Sequence, residues 1–190
     1  ASPQLRSNTG HFGANGIYVV GNTAYLAGWG GLSIIDVSDV DNPVPLGNYS
    51  TRAEDVYVVD QIAYVAAGSD GLRLLDVSNP ANPSHVATYD TPGSALGVQI
   101  VGDLAYVADH REGLQILNVS NPANPTSVAS FSTLFSEEVE EVNNRAYLAN
   151  NFVNGLQVVD VSNPAAPQLL GGYDVRGEAL QLEVVGSSVY

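Results

Sequence analysis

The side chains that could do chemistry in this sequence are few and clustered. The densest group is Glu137-Glu138-Val139-Glu140-Glu141. Carboxylates held this close repel one another, which raises their pKa values and favours a cation or a basic side chain among them. Glu138 and Glu141 are the members of this run placed as candidates for a metal. The plainer reading is a hydrated acidic lip at a strand edge. A second acidic group, Asp36-Val37-Ser38-Asp39-Val40-Asp41, offers calcium the oxygens of Asp36, Asp39 and Asp41. It lacks the central Gly and terminal Glu of a helix-loop-helix calcium site. His110, between Asp109 and Arg111, could act as a general base, but nothing marks a nucleophile for it. Ala67-Gly68-Ser69-Asp70-Gly71 misses the nucleophile-elbow pattern by one residue, and it joins strand to strand. Catalysis is therefore not expected. The enzymatic alternative is a hydrolase or lyase centred on His110 or the Glu137 to Glu141 cluster. No cofactor is expected either, calcium being the one candidate.

The elements that must position these residues announce themselves by repetition. GLSIIDVSDVDNP from Gly31 returns as GLRLLDVSNPANP from Gly71, GLQILNVSNPANP from Gly113 and GLQVVDVSNPAAP from Gly155. Ala-Tyr pairs at Tyr25, Tyr64, Tyr106 and Tyr147 keep the same beat, as do Tyr49, Tyr89, Phe131 and Tyr173. A period of about 41 residues built from short apolar runs predicts one β-propeller blade per repeat. Within repeat two, Val56–Val59, Ile62–Ala66, Leu72–Val77 and Ser84–Tyr89 are separated by turn residues, so each blade is a four-stranded antiparallel meander. The innermost strand is expected to be buried on both faces. The third strand should send Leu72 and Leu74 one way and Leu75 and Val77 the other. No segment carries a sustained helical period.

This gives an all-β chain with four complete blades, about 14–53, 54–95, 96–137 and 138–179, and partial blades at 1–13 and 180–190. Ser2 to Leu5 resembles the start of a repeat's last strand, and Tyr190 falls where Tyr147 falls one repeat earlier. A chain that opens inside one blade, ends inside another and starts at Ala1 is expected to be a processed or partial product of a longer array.

Twenty acidic residues oppose six basic ones, all Arg, for a formal charge of −14. Nucleic acid and anionic membrane surfaces need a positive field, so neither is an expected partner. No apolar stretch approaches the roughly 20 residues of a membrane-spanning helix, so no membrane insertion is expected. Without Cys there is neither a disulfide nor a thiolate site. The absence of Cys, Met and Lys fits an oxidising exterior.

The repeats also separate scaffold from candidate site. The first-to-second and third-to-fourth connections lie on one end of a blade and are monotonous short turns: Gly21-Asn22, Asp60-Gln61, Gly102-Asp103, Asn143-Asn144, and the recurring NPANP. The Asp of the DVS run is Asp36, Asp76 and Asp160 but Asn118 in repeat three, so the shared oxygen, not the charge, should matter, as a cap for the following turn. The repeated Tyr is expected to pack between blades. The other end does not repeat. It carries the sole Trp and several Arg and Phe, the residue types that anchor interfaces. Its candidate partner-binding residues are Trp29, Arg52, Asp70, His110, Arg111, Phe135, Phe152 and Arg176. Unconstrained drift of loops would also produce this variety.

LSIIDVS, LRLLDVSNP, LQILNVSNP and LQVVDVSNP resemble the LVIVD repeat of bacterial and archaeal proteins. The resemblance covers nearly the whole chain. It implies a β-propeller in a secreted or surface protein, and it brings no catalytic residues. The expected function is a non-catalytic extracellular or cell-surface scaffold that recognises a protein or glycan. The structural alternative is an assembly module of a surface layer or filament, self-associating through open blade edges.

Overall fold

The chain is described by a computed structural model over residues 13–151, 154–175 and 177–190. Phe152, Arg176, His11 and the Ser2 to Leu5 segment lie outside the described residues. Four antiparallel sheets follow one another along the chain. The first holds β1 (Ala14–Val20), β2 (Thr23–Gly28), β3 (Gly31–Asp36) and β4 (Val44–Tyr49). The second holds β5 (Asp55–Val59), β6 (Ile62–Ala66), β7 (Leu72–Asp76) and β8 (Ser84–Tyr89). The third runs β9 (Gly97–Val101), β10 (Leu104–Ala108), β11 (Leu114–Asn118) and β12 (Thr126–Phe131). The fourth runs β13 (Ser136–Val142), β14 (Arg145–Asn150), β15 (Leu156–Asp160) and β16 (Gln168–Tyr173). A fifth unit begins with β17 (Val184–Val185) paired to β18 (Ser188–Val189). Each sheet is a meander in sequence order, and among the described residues there is no helix.

The first strands converge: β1 packs beside β5, β5 beside β9 and β9 beside β13. The sheets therefore radiate from a common axis as propeller blades. Each blade has two apolar faces, because strand residues alternate sides. Leu72 and Leu74 pack toward the third blade with Val98, Ile100 and Val107, while Leu75 and Val77 pack toward the first with Ile34 and Leu32. Burying one such Leu or Ile contributes about 1.5–3 kcal/mol, so each interface rests on several such residues. Tyr25, Tyr64 and Tyr106 are buried in these interfaces, as their repetition predicts. Burial also pushes their hydroxyl pKa values up.

One detail recurs in every complete blade: the pairing of third and fourth strands shifts register at Ile34/Ile35, Leu74/Leu75, Ile116/Leu117 and Val158/Val159. An extra residue there increases twist at the outer rim. The glycine that opens the third strand recurs for a local reason. Gly31, Gly71, Gly113 and Gly155 all have positive φ, and a Cβ on any of them would strike the carbonyl oxygen of Tyr49, Tyr89, Phe131 or Tyr173.

The innermost strand departs from the expectation of burial on both faces. In β5, Val56 and Val58 are buried while Asp55, Tyr57 and Val59 are half-buried. The cause lies at the axis, where each first strand is a sheet edge with unpaired backbone N–H groups. The neighbouring blade supplies acceptors. Asp55 Oδ2 accepts from Val98 N at 2.9 Å, Gln99 Oε1 accepts from Glu141 N, and Glu140 Oε2 accepts from Val184 N at 2.7 Å. Polar residues alternate with apolar ones on this strand because one side seals the next blade's edge.

Candidate functional site

The two ends of the blades are built differently. At one end, each third-to-fourth connection donates back to the first-to-second turn: Val37 N to Asn22 O, Val77 N to Gln61 O, Val119 N to Asp103 O and Val161 N to Asn144 O. Asp36, Asp76, Asn118 and Asp160 each accept from the backbone N of the Ser two residues on, at 2.8–3.0 Å. The hydroxyl of that Ser, together with its backbone N, holds the Asp76 and Asp160 carboxyls below the usual range, and the backbone N and hydroxyl of Ser38 do the same for Asp36. Asp39, Asn79, Asn121 and Asn163 repeat the device one step along. The Asp36 and Asp39 oxygens proposed for calcium thus act as turn caps.

The opposite end gathers the second-to-third loops and the blade-to-blade connections. Gly68 bridges Ala95 and His110 bridges Ser136, which ties each loop to the connection of the following blade. At the axis a cavity of about 400 Å³ opens. Its wall takes Asn15, Asp55, Leu96, Glu138 and Gln181 from five successive units, with Glu54 and Glu137 beside them.

Two carboxyls in this mouth are desolvated. Burial pushes Asp55 up to about 6, against the opposing bonds from Val98 N and Val56 N. Burial pushes Glu138 up to about 8, and the charges of Asp55 and Glu140 add to it. Space for both comes from missing side chains: a Cβ at Gly16 would strike Asp55, and one at Gly97 would strike Glu138. The aligned position along the chain therefore reads Gly16, Asp55, Gly97, Glu138.

The acidic run itself divides. Glu137 and Glu138 line the mouth, and Glu140 seals the fifth unit. Glu141 sits at the apolar register of Val58 and Ile100, opposite Ala146. Its carboxylate turns back to accept from Asn144 N at 2.6 Å, so Glu141 is a turn cap and not part of an axial cluster. Among the described residues, no three His, Asp or Glu side chains converge in a way that would hold a metal ion.

Around the mouth, the candidate contact residues fall into three places. His110, Arg111 and Phe135 come together: the His110 and Phe135 rings meet edge to face at 5.3 Å, and the Arg111 guanidinium lies 5.4 Å from the Phe135 ring centre. His110 Nε2 lies 3.7 Å from Glu137 Oε1. Both His110 and Phe135 have positive φ, a conformation costly for residues with side chains and found where surrounding structure enforces it. Trp29 and Arg52 share a second cleft with Asn15, Thr51 and Glu54. Asp70 pairs with Arg73 of its own blade at 3.0 Å.

Sequence reasoning missed a set of buried latches beneath these loops. Asp109 is fully buried, and it accepts from the Thr91 hydroxyl at 2.7 Å and from Gly93 N at 2.9 Å. Burial raises its pKa. One repeat on, Thr133 bonds Ser136, whose hydroxyl donates to Asn150 Oδ1 at 2.8 Å. In the second blade the residue matching Asp109 and Asn150 is Ala67, and the buried Thr51 hydroxyl is left without a partner. Aligning Thr51, Thr91 and Thr133 against Ala67, Asp109 and Asn150 would have exposed the pairing.

Profile comparison agrees with this geometry. The LVIVD repeat matches four times, at residues 13–51, 52–91, 92–133 and 142–175. The chain belongs to the LVIVD repeat family. No curated protein sequence matches this LVIVD chain. Solved structures similar to it include the computationally designed Ika8 protein, at TM-score 0.68 and 9% identity over 95% of this chain and 56% of that one. The designed Ika4 protein matches at TM-score 0.62 and 8% identity over 83% of this chain and 98% of that one. A functionally unknown protein from Desulfotomaculum acetoxidans DSM 771 matches at TM-score 0.69 and 15% identity over 85% of this chain. The LVIVD chain spans about half the length of the first and third of these. At such identities the likeness concerns fold alone, and it agrees with the blade arrangement.

Proposed function

We propose that this chain is a non-catalytic recognition scaffold, secreted or at the cell surface, whose loop-bearing end engages a protein or glycan. The observation that carries the reading is the contrast between the two blade ends. One end uses its polar side chains on its own turns. The other gathers an acidic cavity walled by five units, the His110–Phe135–Arg111 cluster and the Trp29 cleft. Exposed aromatic and Arg side chains around a concave site are the chemistry of binding hot spots. Ser136, the hydroxyl beside His110 in sequence pairing, is fully buried and bonded to Thr133 and Asn150, which favours a structural role for it.

The test compares two sets of variants for adhesion to cells and to immobilised glycans. Combined Ala replacement of Trp29, Arg52, Arg111 and Phe135 should abolish adhesion, and Ala replacement of Asn82 and Asn124 on the capped end should not. Equal loss in both sets would sink the reading.

A second reading, an assembly module, draws on one observation. Ile17 in β1 is 62% exposed, whereas Val56 at the same register is 2% exposed. Val19 is exposed likewise. A mass that rises with concentration in sedimentation, and stays constant in Ile17→Ser, would favour assembly over recognition.

A further inference from the structure

The cleft beside Trp29 differs from the corresponding place in the other blades. Its volume is about 680 Å³, within the roughly 300–1,000 Å³ typical of small-molecule sites. Trp29 is the sole Trp, stands 86% exposed, and lies between Gly28 and Gly30, so neither neighbour covers its faces. An exposed indole is a large, rigid apolar plate with a negative face. Such a plate accepts the weakly positive C–H groups on one side of a sugar ring.

The polar wall opposite is already organised. Glu54 accepts from Asn15 Nδ2 at 2.8 Å through one oxygen and from Arg52 Nε through the other. Arg52 lies against Gly68, where any side chain would displace it. This arrangement leaves the terminal guanidinium nitrogens of Arg52 as donors, and the Asn15 carbonyl and remaining Glu54 lone pairs as acceptors. Donors and acceptors interleaved on one wall suit hydroxyl groups, each of which must both give and receive a hydrogen bond.

Charge narrows the class. The chain carries −14 overall, the cleft wall itself holds Glu54, and the adjoining axial mouth holds Glu137. That field repels sulfated, sialylated or uronic sugars. We infer that the Trp29 cleft binds a neutral saccharide, which stacks on the indole and bonds Arg52, Glu54 and Asn15 through its hydroxyls. This inference rests on the recognition reading above and specifies its ligand at one site.

Because Trp29 is the only Trp, intrinsic emission of the intact chain reports this cleft directly. The experiment titrates the protein with neutral oligosaccharides, namely the trimers of glucose, mannose, galactose and N-acetylglucosamine, each up to millimolar concentration. A heparin disaccharide serves as the anionic comparison. At least one neutral trimer should give a saturable spectral shift. Arg52→Ala and the isosteric Glu54→Gln, both of which keep the fluorophore, should weaken it about tenfold or more. Trp29→Ala should lose binding by calorimetry. The inference is overturned if no neutral trimer saturates, if the anionic sugar binds better, or if Arg52→Ala and Glu54→Gln bind as well as the parent chain. If the cleft ignores every trimer while the four-residue Ala variant still loses cell adhesion, recognition stands and the saccharide assignment falls. If adhesion is also unaffected, both fall.

Discussion

Two sets of carboxylates occupy opposite ends of the same blades, and they obey opposite physics. Asp36, Asp76 and Asp160 sit in solvated turns, accept from backbone N–H groups, and have lowered pKa values. Asp55, Asp109 and Glu138 sit beneath or beside the variable loops, are desolvated, and have raised values. The first set repeats because each blade poses the same problem of an unsatisfied turn. The second set does not repeat, because each interface between blades near the axis is filled differently. Repetition therefore marks local backbone need, and its breakdown marks where blades meet one another and where a ligand would meet the protein.

The largest expected blow to this contrast comes from Asp109. Asp109→Ala strands the Thr91 hydroxyl and Gly93 N in a buried place, so it should cost about 2–3 kcal/mol in urea denaturation. A cost no larger than that of an underside cap would erase the distinction between the ends. Next comes pH. A carboxyl whose folded pKa exceeds its unfolded value holds an extra proton in the native state, so stability falls as pH rises between the two values. With Asp55 at about 6 and Glu138 at about 8, the fall spans roughly pH 4 to 8. Glu138→Gln should flatten it, raising stability at pH 8 by about 1–3 kcal/mol with little change at pH 5. Urea midpoints at the two pH values decide, and an unchanged slope would place Glu138 with the hydrated caps.

A finer comparison uses two threonines at one register. Thr91→Val should cost about 1–2 kcal/mol, because Asp109 loses a donor, while Thr51→Val should cost nothing or stabilise slightly, because its hydroxyl has no partner. Similar thermal shifts for both would refute the latch. The smallest effect is expected on the underside. Asp76→Asn should leave the melting temperature unchanged, as the natural Asn118 suggests, and Asp76→Ala should lower it slightly. At acid pH the sign reverses from that of Glu138: caps with lowered pKa values lose their contribution as pH falls through the carboxylate range.

Much of this was legible before any coordinates. The recurring Gly-Leu start, the DVS cap and the buried Tyr each serve a need that every blade repeats, so comparing repeats exposed both the element and its role. The single Asn118 separated oxygen from charge at the cap without further information. The axial strand is less legible: its apolar run implies burial on both faces, whereas its polar residues answer backbone groups on another blade. That demand depends on which strands converge, which no local window contains. Glu141 shows a related limit: a long side chain can leave the register its backbone occupies, and this one returns to Asn144. Type and loop position single out His110, Arg111 and Phe135, and the bridge between His110 and Ser136 is what brings them together.

The edge seals at the axis carry an evolutionary consequence. Asp55, Gln99 and Glu140 each serve the neighbour that follows, whereas Tyr18 and Tyr57 stack on one another at 4.3 Å in the place where Gln99 and Glu140 reach forward. Near-identical paragraphs of sequence are thus not interchangeable modules. Transposing the second and third would set a phenol before an amide that wants a carbonyl, so recombination among these copies is penalised by the few letters in which they disagree.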